Sequence, residues 1–301
     1  MTRWKKALPV VVTWCVLLAG HAAAAPSSLA SQALQNYFSA SDVKAIDDAV
    51  NMLDEQHGVL SIADYSCHSR MNRTVARQYL NSSSKWYSLM RRSLGDVVEA
   101  GRHFAGTFVD AGFMPPSASP KVWNFLTNSI VMGELTSFGQ FKDLDLHMPF
   151  PSNLSPFATT FVNEVFDMMC DARNASVATD LFAPSATFDF ITSTRVHGPG
   201  NGVESEPVFS RTQFPTLAAF QQAFGSFFAE RSKCAFMIRS LVSGCDRISV
   251  AHSELWEVGV GLNQTIEHGF SRFTFEPSQA ESRTPRATHW RLLLDVAVAA
   301  S

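Results

Sequence analysis

The end of the chain restricts the fold more than any other feature. Four strand-like runs close it: CAFMIRSLV, RISVAHSELWEV, NQTIEHGFSRFTF and THWRLLLDVAVA, with SGCD as a short turn between the first two. Side chains alternate between the faces of a strand. On the last run Trp290, Leu292, Leu294 and Val296 therefore make an apolar face, and His289, Arg291 and Asp295 make the other. A meander with one apolar face must bury it against a second layer. Helices can supply that layer. The segment from Phe157 carries Phe161, Val165, Met168 and Met169 on one stripe. TLAAFQQAFGSFFAER carries Leu217, Phe220, Phe224, Phe227 and Phe228 at helical spacing. Between them ATFDFIT reads as a strand. Residues 157–301 thus read as α+β, with helices packed on a curved antiparallel sheet.

The preceding half carries only helix signals. SASDVKAIDDAVNMLDEQHG has Ser39 and Asp42 in a capping-box arrangement, with Gly58 as a stop. Trp86, Met90, Leu94, Val97, Gly101, Phe104 and Phe108 follow at steps of three and four, which predicts a long amphipathic helix. KVWNFLTNSIVMGEL predicts another, with Trp123, Leu126, Ile130 and Val131 inward. Residues 26–142 are therefore expected to be an α-helical region. The proline-rich, aperiodic stretch 143–156 is expected to be a linker. No internal repeat is visible.

The first residues place the chain in a compartment. Arg3, Lys5 and Lys6 precede an apolar run of about 14 residues and a small-residue tract, the layout of a secretory signal peptide. The run falls short of the roughly 20 residues that span a bilayer. Residues 1–25 are read as that signal, and the chain as secreted or luminal, without stable membrane insertion. Losing those three cations takes Lys+Arg from 24 to 21 against 27 Asp+Glu, so the mature chain carries about −6. Such a surface argues against nucleic acid as a partner. Asn72, Asn81, Asn174 and Asn263 stand in glycosylation sequons; that of Asn153 is weakened by Pro156. Beyond Cys15 of the leader, Cys67, Cys170, Cys234 and Cys245 remain, an even number suited to disulfides. Cys234 and Cys245 stand at opposite ends of one strand-like run, more than roughly 20 Å apart. Bridged Cα atoms lie within about 7 Å, so this pair is excluded. Either Cys67–Cys234 with Cys170–Cys245, or Cys67–Cys245 with Cys170–Cys234, remains.

Residues 156–298 resemble the nuclear transport factor 2-like superfamily, the cone-shaped α+β fold of SnoaL-like polyketide cyclases and ketosteroid isomerases. DLFAPSATFDF carries the likeness at the helix end, turn and first strand; the helix TLAAFQQAFGSFFAE and the closing strands follow in order. The N-terminal half is not recognised. The resemblance implies an apolar cavity between helices and sheet, here lined by Phe188, Phe190, Phe220 and Phe224. Ketosteroid isomerase-like members place an acid just after this strand start. Here Asp189 comes one residue early and Phe190 takes the acid's place, so the catalytic assignment does not carry over. Burial of a Phe gains about 1.5–3 kcal/mol, whereas an unpaired buried carboxylate costs several. Phe188 and Phe190 should therefore face inward, and Asp189 should lie outward or at a rim, salt-bridged or wet.

Candidate chemistry is confined to polar strand positions. His252 and Glu254 share a strand face with Trp256; His268 shares one with Arg272; Asp295 shares one with His289 and Arg291. His252, Glu254, His268 and Asp295 are the candidates for an acid/base cluster. The competing reading of such alternation is a solvated sheet face or a homodimer contact. His197 lies in RVHGPGNG, a tight turn or a lid. No phosphate loop, nucleophile elbow, H-E-x-x-H or zinc spacing occurs, so no cofactor or metal is expected. The expected role is a non-enzymatic one: binding a small apolar ligand or a protein partner through the cavity or sheet face. The alternatives are a cofactor-free lyase or isomerase in the same cavity, and a structural extracellular interaction protein.

Overall fold

The structure, a computed structural model, describes residues 28–42, 44–63, 67–83, 89–113, 125–149, 154–172, 174–197, 206–228, 231–258, 262–276 and 285–299. Two six-stranded sheets dominate it. The first unit runs α1 (Leu29–Asp42), α2 (Ile46–Asn51), β1 (Val59–Ala63), β2 (His68–Met71), α3 (Arg73–Ser83), β3 (Leu89–Ala100), β4 (His103–Phe113), β5 (Phe125–Leu135) and β6 (Phe141–His147). The second runs α4 (Ser155–Asp167), a π-helical turn (Met168–Ala172), a 3₁₀ turn (Ala175–Val177), α5 (Ala178–Leu181), β7 (Phe182–His197), β8 (Val208–Phe214), α6 (Leu217–Phe228), β9 (Arg231–Gly244), β10 (Arg247–Val258), β11 (Leu262–Phe275) and β12 (Ala287–Ala299).

The strand orders are β2-β1-β6-β5-β4-β3 and β8-β7-β12-β11-β10-β9. In both, the first strand pairs antiparallel with the second and parallel with the last, and the remaining strands form an antiparallel meander. The same topology occurs twice in one chain, a repeat invisible in the sequence because only the layout of elements is shared.

The N-terminal half is therefore α+β, and not the helical region expected for residues 26–142. The stretch from Met90 to Phe108, expected to be one helix, is a hairpin that turns at Gly101, where φ is +64°. Of its strands, β4 is buried on both faces, while edge strand β3 is buried only toward its end, at Val98 and Ala100. Phe104 and Phe108 pack under the first unit's helices, while Val98 and Ala105 meet the second sheet. Burial on both faces erases the two-residue period, and the remaining apolar spacing imitates a helix. The same holds for β5, where Val131 faces the helices and Ile130 and Met132 face the other sheet. Trp86 and Trp123 lie outside the described residues. Ser39 sits within α1 and caps nothing at its start. The expected linker begins inside β6, whose Asp145 and His147 are buried.

The second half follows the expected order, with β8 added as an exposed edge strand. Two disulfides are present. Cys67–Cys245 (Cα–Cα 5.4 Å) joins the units, and Cys170–Cys234 (5.2 Å) ties the π-helical turn to β9. Cys234 and Cys245 do not pair, as expected.

The two sheets pack face to face, and each unit's helices cover the opposite face of its own sheet. Val98, Ala100, Ala105, Ile130 and Met132 meet Ile191, Val242, Ala251, Phe270 and Leu293 in an apolar seam. Beside it lies an ionic layer. Arg247 Nη1 donates to both oxygens of Asp145 at 2.9 and 3.0 Å, and Arg272 donates to Asp145 as well. Arg291 reaches Asp143 at 3.1 Å and Asp189 at 3.4 Å. The sheet face expected to be solvated or to form a homodimer is thus covered by the chain's own first sheet.

Candidate functional site: a buried polar chain behind a groove

β7 places Phe188 and Phe190 on the helix side and Asp189 on the opposite side, as the burial argument requires. Phe188 is buried and stacks on Phe220 of α6, with ring centroids 4.2 Å apart and planes 10° apart. Phe190 is half-buried and meets Phe214, Phe220 and Trp290 edge-on. Phe224 packs edge-on against Phe220. The four residues named as cavity lining thus pack mainly against one another and neighbouring rings. Asp189 is 4% exposed but not wet: Arg211 binds it bidentately at 2.7 and 2.9 Å, and Gln213 and Arg291 add to the cradle. Burial alone would raise its pKa; the guanidinium groups outweigh that and hold it below the usual carboxylate value. It is a structural anion.

The four candidate acid/base residues divide between the two faces. His268 and Asp295 point toward the inter-sheet side. His268 Nδ1 lies 4.0 Å from Asp96 Oδ2 of β3, and Arg195 binds Asp295. His252 and Glu254 point into the interior of the second unit with Trp256, all three buried. His289 belongs with the outer group: its Nδ1 is 2.7 Å from Thr187 Oγ1, and burial chiefly lowers its pKa, with Arg291 adding to this. The expected polar cluster therefore does not assemble. Two smaller groups form, separated by the thickness of the sheet.

The interior group is continuous. Trp256 Nε1 donates to Glu254 Oε2 at 2.8 Å. Glu254 Oε1 lies 2.9 Å from His252 Nδ1, close enough for an ion pair but outside hydrogen-bond alignment. His252 Nε2 is 3.3 Å from Ser271 Oγ, and Trp290 Nε1 donates to the same oxygen at 3.2 Å. In the tautomer that carries its proton on Nδ1, His252 Nε2 accepts from the Ser271 hydroxyl. The backbone makes room for the ring. Gly269 stands opposite His252 in the β10–β11 register, and a Cβ there would fall 2.3 Å from His252 Cε1. Ser271 was not among the sequence candidates. Its alternation with Phe273 on β11 is the signal that would have placed it inward.

A groove of about 340 Å³ opens outside this chain, between α4, the π-helical turn and β9. Asn163, Phe166, Asp167, Phe236, Ile238 and the Cys170–Cys234 disulfide line it. Phe166 and Phe236 stack with centroids 4.0 Å and planes 9° apart. Both rings also touch the His252 imidazole, at 5.1 and 5.8 Å between centroids. The stacked pair thus lies between the groove and the polar chain, each ring touching both. Among the described residues no cluster of His, Cys, Asp and Glu suits a metal ion, and no helix is long and apolar enough to cross a membrane. The side chains of His197 and Asn263 lie outside the described ones.

No protein-family model and no curated protein sequence matches the chain. Similar solved structures include nuclear transport factor 2-like, ketosteroid isomerase-like and polyketide cyclase-like proteins, the likeness expected from the sequence. A nuclear transport factor 2-like protein of unknown function from Exiguobacterium is 13% identical, with TM-score 0.32, over 40% of this chain and 99% of its own. A second, from Burkholderia pseudomallei, is 10% identical, with TM-score 0.35, over 40% and 91%. A putative polyketide cyclase from Xanthomonas campestris is 16% identical, with TM-score 0.31, over 40% and 90%.

Proposed function

We propose that the protein is secreted and binds a small apolar ligand with a flat ring in the groove between α4 and β9. The stacked Phe166–Phe236 pair on the groove wall carries this reading. A flat ring is the shape that a stacked pair accepts, by extending the stack or replacing one member. The groove's volume lies within the usual range for small-molecule sites, about 300–1,000 Å³. Asn163 and Asp167 at the rim supply the few polar contacts that orient such a ligand.

Secretion is supported by the signal-like start and by the pairing of all four later cysteines. The side chains of Asn72, Asn81 and Asn174 are exposed, as glycosylation requires. The test is titration with Nile red, a neutral flat dye. Saturable binding at one site is expected, weakened at least about tenfold (1.4 kcal/mol) by Ile238→Glu on the groove rim. Unchanged binding in that variant, or none in the native protein, overturns the groove assignment.

A further inference from the structure

We infer that Ser271 is an acyl-accepting nucleophile activated by His252 and oriented through Glu254, and that its substrates are small aryl esters entering from the groove. The inference rests on the groove being the ligand site and goes beyond it by adding a reaction. Three groups stand in the order that activates a serine. The nucleophile Ser271 Oγ is 3.3 Å from His252 Nε2, and His252 Nδ1 is 2.9 Å from Glu254 Oε1. Such an arrangement is recognised by geometry and not by position in the chain. The long serine contact and misaligned carboxylate contact suit a resting site, since catalytic hydrogen bonds tighten when substrate binds.

Two further observations support the assignment. First, both ends of the chain are fixed by indole N–H groups: Trp256 holds Glu254, and Trp290 donates to the Ser271 oxygen that would lose its proton. That second donor stabilises the negative charge developing on the oxygen. Second, Gly269 leaves the His252 ring its space. Ser271 and His252 are both 0% exposed, so access requires a gate. Phe166 and Phe236 are the rings between His252 and the groove. A flat aryl group takes the place of Phe236 in the stack as it enters, which is why aryl esters are the substrate class.

The step balances without any further reagent. Ser271 Oγ bonds to the ester carbonyl carbon while His252 Nε2 takes its proton. The carbon–oxygen bond to the phenol then breaks, and the imidazolium returns the proton to the departing phenoxide. Water, deprotonated by the same nitrogen, hydrolyses the acyl-serine.

The experiment treats the intact secreted protein with p-nitrophenyl acetate and with a fluorophosphonate, and locates the adduct by peptide mass spectrometry. Near-UV circular dichroism checks folding, and Nile red checks the groove. An adduct on Ser271 is expected, formed about tenfold faster in Phe236→Ala and at least about 10²-fold slower in His252→Gln. Ser271→Ala should abolish it while Nile red still binds. Folded native protein that binds Nile red yet carries no adduct on Ser271 overturns the nucleophile and leaves the ligand site standing. Adduct formation that survives Ser271→Ala overturns it too. Absence of both dye binding and adduct overturns both readings.

Discussion

Asp145→Asn removes one charge from the ionic layer between the sheets and keeps the side-chain shape. The Asp145 carboxylate receives Arg247 and Arg272, and all three residues are at most 8% exposed. Arg247 retains Asp246 at 3.0 Å after the change. Of carboxylates Arg272 retains only the more distant Asp143, beside hydrogen bonds to Ser249 Oγ at 3.4 Å and the Asp145 carbonyl at 3.5 Å. Burial already pulls the Arg272 pKa down against the attraction of Asp145, so this cation depends most on the lost partner. Removing one member of a buried pair costs about 3–5 kcal/mol because a charge is left uncompensated. For a chain of this size that is roughly 6–20 °C in Tm, at about 2–4 °C per kcal/mol. The assay is urea unfolding followed by near-UV circular dichroism. Adding Arg272→Met should recover at least half of the loss, since it removes the stranded cation. A single variant within about 1 kcal/mol of native stability would mean that the layer is hydrated and that the sheets do not seal it.

Gly269→Ala should destabilise by about 1–3 kcal/mol through crowding of the His252 ring, and His252→Ala in the same chain should relieve much of it; thermal melts of the three variants measure this. Replacing Cys67 and Cys245 together by Ser opens a link across 178 residues and should cost about 5 kcal/mol by loop entropy, read by urea unfolding against native protein. Burial, reinforced by Arg272 and Arg247, drives the His147 pKa well below its usual value. The folded state therefore holds this ring neutral while the unfolded chain takes up a proton below about pH 6.5. Stability present above that pH is lost as pH falls, by up to about 1.4 kcal/mol per unit from this residue. Stability curves at pH 7.5, 6.5 and 5.5 should show that slope, flattened in His147→Asn.

The second unit was legible because its strands have one apolar and one polar face, so that alternation in THWRLLLDVAVA survives in the sequence. The first unit was not, because β3, β4 and β5 carry apolar residues on both faces. The same double coverage explains the misread polar face. His289, Arg291 and Asp189 look solvated in a single strand, and only the partner sheet supplies Asp143 and the seam that cover them. Asp145 and His147 lay in a stretch whose prolines suggested a linker, although the strand ends before the first of them, Pro149. Of the interior site, His252 and Glu254 were legible as a pair on one face. Ser271 and Gly269 were not, because their meaning depends on the β10–β11 register, which no single strand encodes.

Two units of one chain are held sheet against sheet, and the Cys67–Cys245 disulfide fastens one to the other. Non-reducing peptide mapping of protein collected from the medium of a eukaryotic host tests this most directly. It should yield two linked peptides, Cys67 with Cys245 and Cys170 with Cys234, whose Cα separations of 5.4 and 5.2 Å suit bridging. A Cys67–Cys234 or Cys234–Cys245 peptide, or free thiols at these positions, would contradict it.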